Sequence, residues 1–134
     1  MVFIDDYAHH PEEINAVHQA VREMYPNQYV LAVFQPHLYS RTKDFVDEFA
    51  KSLSRFDEVL LLDIYPAREL PIAGITSKWL LDKINNKNKQ LISKKEIVSK
   101  IKESPAQIII TIGAGDIGEE VKYIIIYVSN CNDI

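Results

Sequence analysis

Tyr29-Val30-Leu31-Ala32-Val33-Phe34 is an unbroken apolar run, followed at once by Gln35-Pro36-His37-Leu38-Tyr39-Ser40-Arg41-Thr42. A strand covered on one face alternates apolar and polar residues, and one covered on both faces does not. The run therefore predicts an interior strand of a parallel sheet. Val59-Leu60-Leu61-Leu62 and Ile108-Ile109-Ile110-Thr111-Ile112 read the same way. Val2-Phe3-Ile4, ending in Asp5-Asp6, and Gln90-Leu91-Ile92 are shorter runs, the second edge-like. Segments of helical period lie between them. Ile14, Val17, Val21, Met24 and Tyr25 share one face, opened by Pro11 and stopped before Pro26. Phe45, Val46, Phe49 and Leu53 give a second stripe, and Trp79, Leu80 and Ile84 a third behind Thr76 or Ser77 as cap. Ile97, Val98 and Ile101 follow the capping-box pair Ser93 and Glu96, and Ser104-Pro105 ends that helix. Strand and helix alternate about five times, which predicts an α/β chain: a mostly parallel, doubly wound sheet with helices on both faces.

The chain has 134 residues, 47% apolar and 25% charged, the size and balance of one globular domain. A net charge of -4 argues against a nucleic-acid partner, which wants a basic face. Cys131 is the single cysteine, so a disulfide-stapled scaffold is excluded and a reducing compartment fits. No apolar run approaches the ~18–20 residues of a membrane span. The opening Met1-Val2-Phe3-Ile4-Asp5-Asp6 lacks the basic start of a signal peptide. The domain is expected over residues 1–122, with 123–134 a tail of uncertain structure. Tyr123-Ile124-Ile125-Ile126-Tyr127-Val128 is too β-branched for a comfortable helix.

In open α/β sheets, ligands sit outside the carboxyl ends of the strands. Four polar loops are expected to leave that edge together: Asp5–His10, Gln35–Thr42, Tyr65–Glu69 and Gly113–Asp116. In the first, carboxylates can bind ribose hydroxyls and histidines can contact phosphate or carry protons. The same acids can equally cap the turn. Asp6, His9, His10 and Glu12 are also metal-ligand types, although their spacing matches no standard zinc pattern. In the second loop, Arg41 offers a planar fork for a carboxylate or phosphate, and Ser40 or Thr42 can cap a helix whose N-terminus attracts anions. Arg41 can instead pair with Asp44 or Glu48. Gly113-Ala114-Gly115-Asp116-Ile117-Gly118 fits G-x-G-x-x-G, yet only 16 residues follow it, too few for the rest of a dinucleotide-binding unit. The glycines are expected to serve a tight turn. The chain has no G-x-x-x-x-G-K-S/T phosphate loop, and Cys131 is a poor nucleophile candidate.

Taken together, Asp5-Asp6-Tyr7-Ala8-His9-His10-Pro11-Glu12 and Phe34-Gln35-Pro36-His37-Leu38-Tyr39-Ser40-Arg41-Thr42 resemble the Mur ligase family, most closely its alanine-adding branch. Leu62-Asp63-Ile64-Tyr65-Pro66-Ala67-Arg68-Glu69, Gly74-Ile75-Thr76-Ser77 and Gly113-Ala114-Gly115-Asp116-Ile117 agree in order and spacing, so the likeness runs from about residue 2 to about residue 121. The resemblance implies a cytoplasmic, three-domain enzyme of peptidoglycan synthesis. Such an enzyme uses ATP and Mg2+ to make an acyl phosphate on UDP-N-acetylmuramate, which the amine of L-alanine then attacks. This chain resembles the last domain alone, Rossmann-like, without the N-terminal and central domains; the central domain holds the phosphate loop and most of the Mg2+ contacts. By itself it is expected to be inactive and to bind no cofactor tightly. Carried over by motif position, Asp6 contacts the ATP ribose, and Tyr7 and His9 line the cleft near nucleotide and alanine. His37 and Arg41 face the alanine carboxylate or the reacting phosphate. Gly113 and Asp116 border the amino-acid pocket. His9, His37 and Arg41 are the expected catalytic residues, and no metal ligand is expected. Many members carry a second Arg where this chain has Leu38, so Arg41 either holds the anion alone or is joined by a basic group from elsewhere. Two other readings stay open on the residues: a stand-alone flavodoxin-like nucleotide-binding module, and a small metal-dependent hydrolase built on Asp6, His9, His10 and Glu12.

Overall fold

The apolar run becomes β2 (Val30–Phe34), and all five of its residues are buried. Its neighbours are β5 (Ile108–Ile112), also buried throughout, and β3 (Glu58–Leu61). The sheet is closed at its edges by β1 (Val2–Asp6) and β4 (Lys89–Leu91), giving the order β1-β5-β2-β3-β4. Every ladder is parallel, where the sequence reading required only most of them to be. The computed structural model describes residues 1–132.

Alternate residues of β2 serve two cores, as the pleat demands. Val30, Ala32 and Phe34 face α1 (Pro11–Met24), α3 (Val46–Leu53) and α4 (Ser77–Lys83), which contribute Ile14, Val21, Phe49, Leu53 and Leu80. Leu31 and Val33 face α5 (Ile97–Glu103) and α6 (Val121–Asn132), which contribute Ile97, Ile101, Ile124 and Val128. Full burial of one such side chain is worth about 1.5–3 kcal/mol, so the two cores together dominate the stability. β2 leads into helices on one face and β5 into α6 on the other. The crevice between their carboxyl ends is therefore the switch point of the topology, where open α/β sheets place ligands.

Three local expectations change. The stretch 123–128 is helical: it forms part of α6, with Ile124 and Val128 buried four residues apart on the sheet. The helix-propensity deficit of Ile is at most about 0.7 kcal/mol per residue, and burying one Ile outweighs it several-fold. Of the tail expected over 123–134, the last two residues lie outside the described residues. Ser40 and Thr42 are not caps. A short helix α2 (Tyr39–Asp44) begins before them, entered through Leu38, and a break at Phe45 separates it from α3. The Gly113–Gly115 turn enters first a 3-10 segment, Asp116–Glu120, and only then α6. The caps read at Thr76 and at Ser93 with Glu96 are present: Thr76 Oγ1 accepts from Trp79 N at 3.1 Å, and Glu96 Oε1 accepts from Ser93 N at 3.0 Å.

Candidate functional site

The loops after β1, β2, β3 and β5 do leave the same edge of the sheet, because all five strands run parallel. Asp5 and Asp6 end β1 but divide their work. Asp5 accepts from the Thr111 hydroxyl at 2.7 Å and ties β1 to β5. Asp6 Oδ1 accepts from Ala8 N at 2.9 Å, an Asx-type turn that bends the chain over the strand end. Its second oxygen takes no hydrogen bond from the described residues, so it is available to a ligand hydroxyl. Glu13 then accepts from the backbone N–H of His9 (3.0 Å) and of His10 (2.9 Å), capping α1 and fixing both histidines.

The rings that follow form a row across the edge. His9 lies 4.9 Å from His10 and 6.0 Å from His37, and His37 lies 5.4 Å from Tyr65, all between ring centroids. Tyr7 meets His9 edge-on at 6.0 Å and is 72% exposed at the rim. His9 Nδ1 sits 3.1 Å from the Tyr7 carbonyl. His37 Nδ1 is buried and has no hydrogen-bond partner. Burial pushes the His37 imidazole below its ordinary value of 6.5, nearby Arg41 and His9 push the same way, and Glu69 opposes them. His37 is thus neutral at neutral pH, with one ring nitrogen unspent.

Arg41, one turn along α2, donates from Nη1 to the His37 carbonyl at 3.4 Å, at the long limit for such a bond. It takes part in none of the ion pairs among the described residues, so the suggested pairing with Asp44 or Glu48 does not form. A guanidinium without a carboxylate, next to a neutral imidazole, suits the carboxylate or phosphate of a ligand. Leu38, where many members carry a second Arg, is held at φ 74 at the turn into α2.

Gly113 and Asp116 sit one layer away and join the site through Gln35. Gln35, 4% exposed, accepts from Ile117 N at 2.9 Å and donates to Asp116 Oδ1 at 2.6 Å. Lys94 holds the other Asp116 oxygen at 2.5 Å. Burial works to raise the Asp116 carboxyl, and the bonds from Gln35 and Lys94 outweigh it, leaving it below its ordinary 3.8. The N–H of Gly113 is spent on the Asp6 carbonyl at 3.1 Å. A Cβ on Gly115 would lie 2.6 Å from Gln35 Oε1 and 2.6 Å from the Tyr65 ring, so glycine is required there for close approach. Gln35, Asp63, Tyr65, Lys94 and Asp116 line a cavity of about 280 Å3 beside the switch point.

Structure thus brings Asp6, Tyr7, His9, His37 and Arg41 to one surface, with Gly113 and Asp116 clasped behind it. The sequence reading passed over Gln35, Tyr65, Glu69 and Lys94 as site residues. Gln35, Tyr65 and Glu69 carried a signal there, since they lie in loops expected at this edge, whereas Lys94 carried none. No group of three or more His, Cys, Asp or Glu among the described residues could hold a metal ion, which removes the basis of the hydrolase reading. No helix among the described residues is long and apolar enough to cross a membrane.

Comparison with known proteins agrees with this architecture. A family model described as the Mur ligase glutamate ligase domain matches residues 1–117. The UDP-N-acetylmuramate–L-alanine ligase of Flavobacterium psychrophilum is 74% identical over 90% of this chain. The crystal structure of a UDP-N-acetylmuramate–alanine ligase from Thermotoga maritima superposes over 96% of the chain and 27% of its own, with a TM-score of 0.70 and 26% identity. A domain of a UDP-N-acetylmuramate:L-alanyl-γ-D-glutamyl-meso-diaminopimelate ligase from Haemophilus ducreyi matches 90% of this chain and 85% of its own, with a TM-score of 0.60 and 25% identity. The chain spans 27% of the length of curated relatives that it matches. On the family match and these identities, the chain belongs to the Mur ligase family, as its C-terminal domain.

Proposed function

We propose that this chain is the closing domain of an ATP-dependent ligase that joins L-alanine to UDP-N-acetylmuramate in peptidoglycan synthesis. The observation that carries the reading is the pairing of an unpartnered Arg41 with a neutral His37 whose Nδ1 is orphaned, both beside the switch point. The 74% identity to a ligase of that name supports it. ATP supplies the phosphoryl group that activates the muramoyl carboxylate as an acyl phosphate.

The residues present fit such an anionic ligand. Arg41 receives negative charge, either the alanine carboxylate or the phosphate oxygens, in a setting partly screened from water, where a fixed cation counts for most. His37 stands beside Arg41 as a neutral imidazole, its Nδ1 buried without a partner. The free oxygen of Asp6 accepts from a ribose hydroxyl, while Tyr7 and His9 wall the nucleotide side. Asp116 and Gly113 back the amino-acid pocket through Gln35. Among the described residues no group of three or more His, Cys, Asp or Glu is placed to hold an ion by itself. In the longer protein the ion is held mainly by the central domain. The protein works in the cytoplasm, where its substrates are made.

The test is phosphate release by the longer protein that carries this chain. Release is expected only with ATP, UDP-N-acetylmuramate and L-alanine together, and Arg41→Ala lowers kcat/KM about 100-fold or more, the usual loss of a charge-stabilising group. The isolated 134-residue chain is expected to form no amide and to bind ATP weakly. Alanylation of UDP-N-acetylmuramate by the isolated chain, or full activity of Arg41→Ala, would refute the reading.

A further inference from the structure

α2 carries Arg41, and it cannot hold itself in place. It is six residues long, has no side-chain cap of its own, and is entered through Leu38 at φ 74, a region that β-carbons disfavour. Its internal support is slight: Thr42 N and Thr42 Oγ1 both return to the Leu38 carbonyl, at 3.2 and 2.8 Å. The rest comes from the loop after β3. Tyr65 brackets the entry, donating its N–H to the Pro36 carbonyl and accepting from Leu38 N, each at 2.8 Å. Four residues on, Glu69 reaches the first turn of the helix. Its Oε1 accepts from Ser40 N at 3.1 Å, and its Oε2 accepts from the Ser40 hydroxyl.

We propose that Glu69 is a positioning residue of the candidate site: it caps α2 from 29 residues away and so fixes the direction from which Arg41 presents its guanidinium. Both its oxygens are spent on Ser40, next to Arg41 in the chain, so it is not itself a ligand-binding group. The same bonds hold the Glu69 carboxyl below its ordinary 4.5. The helix N-terminus that the sequence reserved for an anion is therefore already filled by this carboxylate. A ligand anion is left to Arg41, and Arg41 can serve only if its helix keeps its angle.

The proposal deepens the reading of Arg41 as the anion receptor and rests on it, so two measurements are needed. The first needs no activity. In the 134-residue chain, Glu69→Ala speeds amide hydrogen exchange at Ser40 and at Thr42 at least tenfold, with the melting temperature little changed. Thr42 is informative because its amide does not touch Glu69. Glu69→Gln keeps an acceptor oxygen and restores most of the protection, and it covers the case in which the alanine variant fails to fold. The second uses the longer ligase. Glu69→Ala raises KM for one anionic substrate at least tenfold and leaves the other two within twofold, and Glu69→Gln recovers most of that loss. Glu96→Ala, which removes a similar carboxylate cap near α5, leaves every KM unchanged. Unchanged exchange at Thr42 overturns the proposal whatever the ligase does. Faster exchange with unaltered KM values overturns it as well, because the cap would then be structural only. Faster exchange in a longer protein that proves not to be a ligase supports the positioning of Arg41 and refutes the ligase reading alone.

Discussion

His18 and His37 are held neutral by different surroundings. His18 is lowered chiefly by burial and then by Arg22, whose Nε donates to His18 Nε2 at 3.2 Å. His37 is lowered by burial and then by Arg41 and His9. Each binds a proton less readily folded than unfolded. As pH falls through the ordinary value of 6.5, the unfolded chain takes up more protons than the folded one, and stability declines. The stability of the domain is therefore complete above that pH and falls below it. Melting curves of the wild type between pH 8 and about pH 5 should show this decline. His18→Gln, which keeps an acceptor for Arg22, should flatten part of it; an identical slope in the variant would contradict the assignment. His9, His37 and Arg41 sit within short motifs, so a resemblance carried by those motifs could name them. Gln35, Glu69 and Lys94 were missed because their partners lie 81, 29 and 22 positions away in the chain. Only folding brings such pairs together, and no local pattern announces them.

Among the elements, the three interior strands were plain in the sequence because burial on both faces leaves no polar alternation to misread. α6 was not, because its β-branched run speaks for a strand while packing decides for a helix. The decision can be measured. Ile124→Ala, at a fully buried position of α6, should cost about 2–4 kcal/mol of unfolding free energy. Ile125→Ala, at a position 49% exposed, should stay within about 0.5 kcal/mol. Equal effects in urea titrations would mean that the helix does not dock as described. The turn before it is the second sensitive element. Gly115→Ala forces a methyl against Gln35 and Tyr65, neither of which can retreat without breaking the Ile117 or Leu38 contacts. A loss of about 1–3 kcal/mol is expected, the range for overpacking, with the Gln35–Asp116 clasp disturbed. The G-x-G spacing itself was visible in the sequence, whereas the reason for its second glycine needed the position of Gln35.

At the scale of the molecule, one sheet separates two cores that share every interior strand. They should therefore melt together. Trp79, the single tryptophan, packs against only one of them, whereas far-UV circular dichroism sees helices on both. Coincident midpoints by the two signals are expected for the isolated chain, and separated midpoints would show the two layers parting independently. The class of fold was legible because alternation of strand and helix leaves few topologies open. The strand order was not, since nothing local tells β5 to insert between β1 and β2.

The last turn of α6 returns to the start of β1: Asn132 Nδ2 donates to the Met1 carbonyl at 2.8 Å, and Asn132 Oδ1 accepts from Met1 N at 3.1 Å. That corner lies at the end of the sheet opposite the four loops. In any longer protein that carries this domain, chain arriving at residue 1 would attach there, one strand's length of about 16 Å from the working edge. A joint there would make the domain a lever with its fulcrum at Met1. A swing of only about 20° at that joint carries Arg41 and His37 through roughly 6 Å, taking the 3.3 Å rise per strand residue as the measure of the arm. Small bending at such an attachment would thereby be enlarged at the edge that carries Arg41 and His37.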